Sequence, residues 1–566
     1  MGFCRPGSTR IRRPHWASSA LAGACADPAL RAIARRPRCC TWLAALFVMA
    51  GLVVGSNSPA CAARGELELT VVDTESRESL PVQLQLRNAK GRRVPAPGLP
   101  VDGEWQVVDG HCVLALPPGA YTFRIRRGLE YRERTGQFVL KSGDADSQQV
   151  DLPRFASLRE EGWWSGDLEV YRRGPTSHLA QRMLASDLHF ASPVTWTNPD
   201  ARPELPIAVE GPVDGLPATT ARFVAGEAGL DRRIGGVTLL FGSVLHDGAS
   251  PATLPSVQAL LPSPRAIVEA WRTSNDRTHR PSHVHFASLA HADLPVAIAC
   301  GTADSVGLLT SQFTEAGAEA SEQDQPLDRV LFPGPHGPAE WSHRILYHLL
   351  DTGHRVVPGA GSGSGLGSNP LGYHRVYVHC EEPFTADGWW SGLRAGRVVV
   401  TNGPLLRPRL QGELPGHTFR ARAGERLELE LDLQLATQDK IQYLEVVKNG
   451  RPLQQVRLEE WKARRGQLPP VVMEESGWVV VRVVADHPTA YRAATSGAFY
   501  VEFDERPRIS KASAQFFLDW IYDRARRVRR QLETQGITAA AAEESLEDLR
   551  RARDYWQDRL QRANAP

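Results

Sequence analysis

The chain is 566 residues long, which is too long for one ordinary domain and makes three to four domains the expectation. Hydrophobic residues make up 42% of it and charged residues 23%, a composition that excludes an intrinsically disordered or membrane-embedded protein. The formal net charge of +2 is unevenly spread, because eight arginines and one aspartate lie in residues 1–63 and leave the remainder acidic overall.

Residues 1–63 have the pattern of an export signal. A basic stretch at 35–38 precedes an apolar run at 42–54, and the Ala-Cys-Ala at 60–62 is typical of a cleavage site. The apolar run is shorter than the roughly 20 residues that cross a bilayer, so a cleaved signal peptide is favoured over a membrane anchor. We therefore expect an exported protein, periplasmic or extracellular, with no membrane span once the leader is removed.

Five of the eight cysteines lie in this leader, and only Cys112, Cys300 and Cys380 remain beyond it. Three widely separated cysteines cannot build a disulfide framework. We expect them to be buried free thiols and not nucleophiles.

From residue 64 to 156 the pattern predicts strand after strand. Apolar and polar residues alternate at 67–71 and again at 82–86, and the turn Pro-Pro-Gly at 117–119 introduces a further strand. The run at 113–122 resembles the carboxypeptidase-regulatory-like fold. We predict a small accessory β-sandwich.

The next two segments differ in their patterns. Residues 157–404 mix short β-rich runs with helical stretches, which indicates strands surrounded by helices. Residues 405–505 are all-β, with strict alternation at 427–431 and a hairpin-turn signal at 448–451. We predict an α/β domain followed by a second β-sandwich.

The tail at 506–566 carries two apolar stripes at helical spacing, separated at Gly536, and therefore predicts a helical hairpin. The stripes consist of Phe516, Phe517, Trp520, Ile521, Val528 and Leu532, and of Leu546, Leu549, Ala552, Trp556 and Leu560. Five arginines between 524 and 530 are interpreted as a solvated helix face, so no nucleic-acid partner is expected.

The stretch at 162–171, GWWSGDLEVY, is the most informative of the chain. It resembles the Gly-Asp-Leu-His-x-His segment that ends the first barrel strand of CehA/McbA-type metallohydrolases, a branch of the PHP (polymerase and histidinol phosphatase) superfamily. Four further segments resemble that family in the same order, at 303–308, 341–353, 369–378 and 393–404. The resemblance implies a multidomain α/β plus all-β protein, in which a PHP-like distorted seven-stranded α/β barrel is flanked by two β-sandwiches.

The resemblance also implies a metal site at the carboxyl ends of the barrel strands, and several of its ligand positions are altered here. Glu169 and Tyr171 replace two histidines whose i, i+2 spacing lets them share one ion. Gln312 lies where a histidine is expected, and the glycine- and serine-rich run at 359–365 replaces a Gly-Ser-Asp-x-His loop. By itself this run predicts a flexible connection.

The implied remaining ligands are Asp167, Glu169, Glu227 and His285, for one ion of zinc, iron or manganese or for none. The alternative is structural, with Asp167 capping a strand end, Glu169 solvated and Glu227 paired with a neighbouring arginine. His283-Val284-His285 is the only His-x-His of the chain, and either both imidazoles serve a metal or His283 is incidental.

The segment around His189, with Trp196 and Asn198 downstream, resembles the family's Glu-Asp-Leu-His-Val-Ala-Pro segment, so His189 either lines the cleft or is an ordinary core or surface histidine. The cleft candidates are therefore Asp167, Glu169, Tyr171, His189, Trp196 and Asn198.

Two function classes stay open. One is an enzyme with a reorganised site, cleaving an ester, carbamate or phosphate with one ion. The other is a pseudo-enzyme that binds a ligand or partner through the same cleft, such as a small molecule or a glycan-like ligand. No pattern in the sequence indicates an oligomeric state.

Overall fold

The computed structural model describes residues 64–171, 176–197, 283–318, 321, 324–464, 466–535 and 539–566, with short stretches between 223 and 273. At Trp196 and Glu227 only the backbone is described, and the predicted leader 1–63 and Asn198 lie outside the described residues. In the described part the protein is mixed α/β, rich in strands and multidomain, as predicted at that level. None of its described helices combines the length and the apolar character that a membrane crossing needs.

The first eight strands form two sheets, ordered β5-β1-β8 and β3-β4-β2-β6-β7. Alternate side chains of both sheets, among them Leu69, Val82 and Ile125, meet in one buried core, as a β-sandwich requires. The strands are β1 Gly65–Asp73, β2 Pro81–Asn88, β3 Val101–Asp102, β4 Trp105–Asp109, β5 His111–Leu116, β6 Gly119–Arg126, β7 Arg134–Leu140 and β8 Ala145–Leu152.

The middle of the chain supplies the first part of the largest sheet, ordered β18-β15-β14-β13-β12-β10-β9-β19-β20. Its strands are β9 Trp163–Tyr171, β10 Phe190–Thr197, β11 Phe223–Val224 beside β10, β12 Glu227–Arg232, β13 Gly236–Phe241, β14 His283–Phe286, β15 Ser305–Leu309, β18 Val357–Ala360, β19 Arg375–His379 and β20 Val398–Thr401. A small hairpin, β16 Phe313–Thr314 with β17 Gly317–Ala318, follows β15.

This sheet curls into a half-barrel. The backbone N–H of Gly363, just after β18, donates to the carbonyl of Glu169 at 2.8 Å, and the N–H of Tyr171 donates to the carbonyl of Ser364 at 2.7 Å. Since β18 and β9 lie far apart in the sheet order, these bonds bring the residues after β18 against β9.

The helices beside the curled sheet whose bounds the structure describes are α1 Thr176–Ala185, α2 Leu294–Ala299, α3 Gly337–Asp351 and α4 Ala386–Arg394, with a short 3-10 turn at Leu158–Glu161 before β9. Helix α4 begins after Thr385, whose hydroxyl accepts from the N–H of Gly388 at 3.0 Å and so caps the first turn. Trp389 of α4 stacks on Phe190 of β10 with ring centroids 4.0 Å apart, which fixes the helix on the sheet.

The largest sheet continues without a break into the C-terminal β-rich part, because β20 pairs with β29. Its further order is β29-β28-β25-β26, with β22 and β30 attached through β28. The strands here are β21 Leu405–Leu410, β22 Thr418–Ala421, β23 Leu427–Leu429, β24 Leu431–Ala436, β25 Ile441–Lys448, β26 Arg451–Val456, β27 Val471–Met473, β28 Gly477–Ala485, β29 Ala493–Ser496 and β30 Phe499–Phe503, and helix α5 is Leu458–Ala463.

The predicted hairpin turn joins β25 to β26. Asn449 and Gly450 have φ of 49° and 75°, the left-handed conformations that this turn requires. The alternating run at 427–431, however, belongs to two strands in different sheets, since β23 pairs with β27 and β24 with β21.

The predicted helical hairpin consists of α6 Lys511–Gln535 and α7 Ala539–Gln561. It packs beside α2, where the indole N–H of Trp520 donates to the carbonyl of Ala292 and that of Trp556 to the carbonyl of Pro295, both at 3.0 Å. The expectation that the arginines of 524–530 are all solvated is wrong for Arg524. This residue is 4% exposed and paired with a carboxylate of the curled domain.

The three cysteines beyond the leader are free, as predicted, with Cys112 and Cys380 buried and Cys300 half-buried. Burial raises the pKa of the Cys112 thiol to about 11, so it is protonated at neutral pH.

Candidate functional site

Three of the predicted site residues lie together at the end of β9. Asp167, Glu169 and Tyr171 alternate along the strand and therefore project from one face. All three are buried, and the phenol of Tyr171 donates to Oε1 of Glu169 at 3.4 Å. The structure therefore brings these positions to one place, as predicted, but inside the protein.

The Asp167 carboxylate is surrounded by donors from the protein itself. Its Oδ1 accepts the backbone N–H groups of Glu169 and Ser362, each at 3.0 Å, and its Oδ2 accepts the N–H of Gly372 at 2.8 Å and the hydroxyl of Ser362. Burial raises the pKa of Asp167 to about 6, and the hydrogen bonds from Ser362, Gly372 and Glu169 oppose that rise. Asp167 thus ties β9 to the segment that follows β18, a role close to the structural alternative.

Glu169 is 4% exposed, so the alternative in which it is solvated is wrong. Its Oε1 accepts the Ser311 hydroxyl at 3.0 Å, and its Oε2 accepts the Ser311 N–H at 3.3 Å. Burial raises the pKa of Glu169 to about 8, with the Asp167 charge adding to the rise and the Ser311 hydrogen bonds opposing it. The group is therefore mostly a neutral acid at pH 7, and metal ligands must be deprotonated.

The glycine- and serine-rich run is not the flexible connection that its composition predicts. Residues 359–364 are buried, and the backbone N–H of Gly361 donates a hydrogen bond to the carbonyl of Leu309 at 2.9 Å. A Cβ at position 361 would lie 2.8 Å from the backbone nitrogen of Glu169, so only glycine permits this approach. The small residues let the run pack flat against β9 beside Glu169.

His283 and His285 share one face of β14, as their spacing predicts. Both are 1% exposed, and the Ser305 hydroxyl lies 2.8 Å from Nε2 of His283 and 2.8 Å from Nδ1 of His285. Burial lowers the pKa of each imidazole to about 3, so both are neutral. One serine hydroxyl thus bridges the two rings in the core.

The other predicted site residues are dispersed. His189 is 5% exposed, with its Nδ1 3.1 Å from the hydroxyl of Ser165 and its ring edge-on to Trp164 at 5.0 Å, which places it among core aromatics. Gln312 is half-buried and donates to Oδ2 of Asp324 at 3.0 Å.

The three predicted ligands whose side chains the structure describes, Asp167, Glu169 and His285, do not form a site for a tightly held ion. Both oxygens of Asp167 are occupied by protein donors, Glu169 is mostly protonated at neutral pH, and Nδ1 of His285 is engaged by Ser305. Over the described residues, no three side chains of His, Cys, Asp or Glu form a group that could hold a metal. The Glu227 side chain is outside that description.

Sequence reasoning missed Ser311, Ser362 and Asp102, which bind this region together. Asp102 is fully buried and belongs to β3 of the N-terminal sandwich, yet it accepts the Leu371 N–H at 3.0 Å and the Ser364 hydroxyl at 3.2 Å. Ser362 and Ser364 alternate with glycine in the sequence, and that alternation is the one local signal that pairs small spacers with hydroxyl donors.

No protein-family model and no curated protein matches the sequence. Among solved structures, the chain is similar to the Bacillus anthracis TIE protein, with 22% identity over 19% of this chain and 19% of that chain, at a TM-score of 0.14. It is also similar to the group B streptococcus pilus 2b backbone protein, with 16% identity over 17% of this chain and 43% of that chain, at a TM-score of 0.15. A Parabacteroides merdae β-glucuronidase shares 10% identity over 79% of this chain and 63% of that chain, at a TM-score of 0.18. The chain spans less than two thirds of each of them, and likenesses this weak carry no argument about fold or activity.

Proposed function

We propose that this chain is an exported pseudo-enzyme that descends from the PHP metallohydrolases and binds a ligand or partner without hydrolysing it. The ordered segments from 162 to 404 that resemble the CehA/McbA branch support the descent. The curled sheet between two β-rich parts supports the same architecture, a PHP-like distorted barrel flanked by β-sandwiches. The basic and apolar leader supports export.

The observation that carries the loss of hydrolysis is the saturation of Asp167. Metal-dependent hydrolysis needs ions that lower the pKa of bound water and polarise the scissile group. An ion at Asp167 would have to displace hydrogen bonds from Ser362 or Gly372, and those bonds hold the chain after β18 against β9. Binding a metal there would therefore cost packing that the protein uses for stability.

The neighbouring groups support the same conclusion. Glu169 would have to give up a proton near neutral pH in order to bind an ion, and Gly361 lies directly against it. The ligand class that we propose is a small molecule or a glycan-like compound. We propose binding of that class in place of the ester, carbamate or phosphate cleavage of the ancestral enzymes.

Metal content and hydrolysis of the mature protein test this proposal together. The protein is recovered after export, its N-terminus is sequenced, and it is dialysed against chelator and then against zinc, iron or manganese. We expect an N-terminus near residue 63, well under one retained ion per chain, and no turnover of p-nitrophenyl acetate or bis(p-nitrophenyl) phosphate.

The matched pair Glu227→Ala and Glu66→Ala supplies the control, because Glu66 is exposed in β1. One ion per chain, with hydrolysis that Glu227→Ala abolishes and Glu66→Ala leaves intact, would show that a working enzyme exists and that the pseudo-enzyme proposal is wrong.

A further inference from the structure

A cavity of about 530 Å³ lies between α3, the turn that joins β25 to β26, and the beginning of α6. Its volume is within the range of small-molecule pockets. None of the predicted site residues lines it. It is therefore separate from the region around Asp167 and does not depend on the proposed function.

Four cationic side chains line this cavity, which we call the α3 cleft: Arg344, Lys448, Arg451 and Arg508. Its two acidic side chains, Asp351 and Glu475, both pair with Arg508, at 3.3 Å and 3.0 Å. The terminal carboxylate of Pro566 also lines the cleft, where it accepts the Ser510 hydroxyl at 2.6 Å. Arg344, Lys448 and Arg451 form no salt bridge in the part of the chain that the structure describes, whereas many other arginines there do, although the charge of Arg344 still acts to lower the pKa of Asp351. Four cations against three carboxylates, that of Pro566 included, leave the cleft with a net positive charge.

Arg344 and Lys448 each donate a hydrogen bond to the backbone of a neighbouring element. Arg344 is on α3 and reaches the carbonyl of Gly450 at 3.5 Å, and Lys448 donates to the carbonyl of Val472 at 2.7 Å. The turn itself is held by Asn449, whose side chain accepts the Trp478 N–H at 2.9 Å. Cations on a helix and on a braced turn lose less freedom on binding than cations on a loose loop.

The rest of the wall is neutral and only partly polar. Burial and the charge of Arg344 lower the pKa of His348 to about 4, so this imidazole is uncharged, and its Nδ1 lies 2.9 Å from the hydroxyl of Ser513. Pro452 and Leu453 add an apolar side, with Leu453 44% exposed. Such a wall suits the body of an organic molecule beside its charged group.

We propose that the α3 cleft binds a small organic molecule that carries a tetrahedral oxyanion, a phosphate or sulfate ester. Guanidinium groups present forked N–H donors that match such oxyanions, and Lys448 adds a point charge. The apolar and hydroxyl-bearing wall receives a sugar-sized body. The cations therefore bind the oxyanion, and the wall contacts the rest of the ligand.

Isothermal titration of the full mature chain with glucose 6-phosphate, glucose 6-sulfate, inorganic phosphate and glucose tests this inference. At least one of the two esters should bind, inorganic phosphate more weakly, and glucose not measurably. The double change Arg344→Gln and Arg451→Gln should weaken ester binding at least about tenfold, since two charged donors to the oxyanion are lost.

The control is Arg92→Gln with Arg93→Gln, which removes the same charge from exposed positions of the N-terminal sandwich. Its affinity should stay within about twofold of the parent, and both double variants should keep the parent's unfolding temperature within a few degrees. Absence of ester binding, equal binding of glucose or of inorganic phosphate, or an equal loss in the two double variants would each overturn the proposal.

Discussion

Ser362 binds the carboxylate of Asp167 twice, since its backbone N–H donates to Oδ1 at 3.0 Å and its hydroxyl donates to Oδ2. The two residues are 195 positions apart in the chain, so the pair closes a long-range connection across the curled sheet. Asp167 lies in a segment that resembles a metal-binding motif, but here its carboxylate accepts hydrogen bonds that connect two parts of the fold.

Replacing Asp167 with Ala should destabilise the protein by about 3–5 kcal/mol, because buried donors of Glu169, Ser362 and Gly372 lose their acceptor. Urea denaturation at pH 7 measures the loss. The control Asp109→Ala, at an exposed strand end, should change the free energy of unfolding by less than about 0.5 kcal/mol. A loss under about 1 kcal/mol for Asp167→Ala would contradict the structural role.

Replacing Glu169 with Gln should change how stability depends on pH. The pKa of Glu169 is about 8 in the folded state against a normal 4.5, so the folded protein holds this proton and the unfolded chain releases it between these values. Wild-type stability therefore falls as pH rises from about 4.5 to 8, and the neutral amide removes that contribution.

The difference in unfolding free energy between the Glu169→Gln variant and the wild type should thus shift in favour of the variant by about 1 kcal/mol or more from about pH 5 to about pH 8. Urea denaturation of both proteins at about pH 5, 6.5 and 8 tests this. The contributions of groups that do not interact with Glu169 are common to both and largely cancel. A pH-independent difference would mean that Glu169 has an ordinary pKa.

Replacing Gly361 with Ala should destabilise the protein by about 2 kcal/mol or more, because the added methyl group overlaps the backbone of Glu169. The matched control is Gly367→Ala, close by in the chain but with no atom near its missing Cβ, and this change should be neutral or slightly stabilising. Thermal unfolding of the two variants compares them directly, and equal unfolding temperatures would show that the run does not pack on β9.

Replacing Arg524 with Gln should cost about 3–5 kcal/mol, because its guanidinium pairs with both oxygens of Asp293 at 2.5 Å and 2.7 Å in a buried place. Arg526→Gln, on an exposed face of the same helix, should cost less than about 0.5 kcal/mol. The double change Arg524→Leu and Asp293→Leu should recover much of the loss. If the two single changes had the same effect, the helical hairpin would not be held by this pair.

Local patterns were sufficient to predict much of the fold. The alternation at 67–71 and 82–86 predicted strands of the first sandwich, the turn at 448–451 predicted the β25–β26 hairpin, and the apolar stripes predicted both terminal helices. These features depend on residues close in sequence. The alternation at 427–431 did not reveal that Leu429 and Leu431 belong to strands of two different sheets.

The sequence predicted the position of the candidate site but not the chemistry of its side chains. The frame at 162–171 correctly put positions 167, 169 and 171 on one face, but the partners that decide their chemistry come from Ser311 and Ser362. The same holds for Arg524, which meets Asp293 across 231 positions. Composition alone cannot distinguish a glycine-rich run that is loose from one whose small residues allow close packing.

The pairing of β20 with β29 makes position 404 a poor place to divide this protein, although composition changes there. A piece ending at 404 would keep the curled sheet but leave the three valines at 398–400 on an unpaired edge strand. A row of free N–H and carbonyl groups on such an edge is a template for other chains, so this fragment would self-associate. The terminal β-rich part therefore shields the edge of β20 from pairing with other chains.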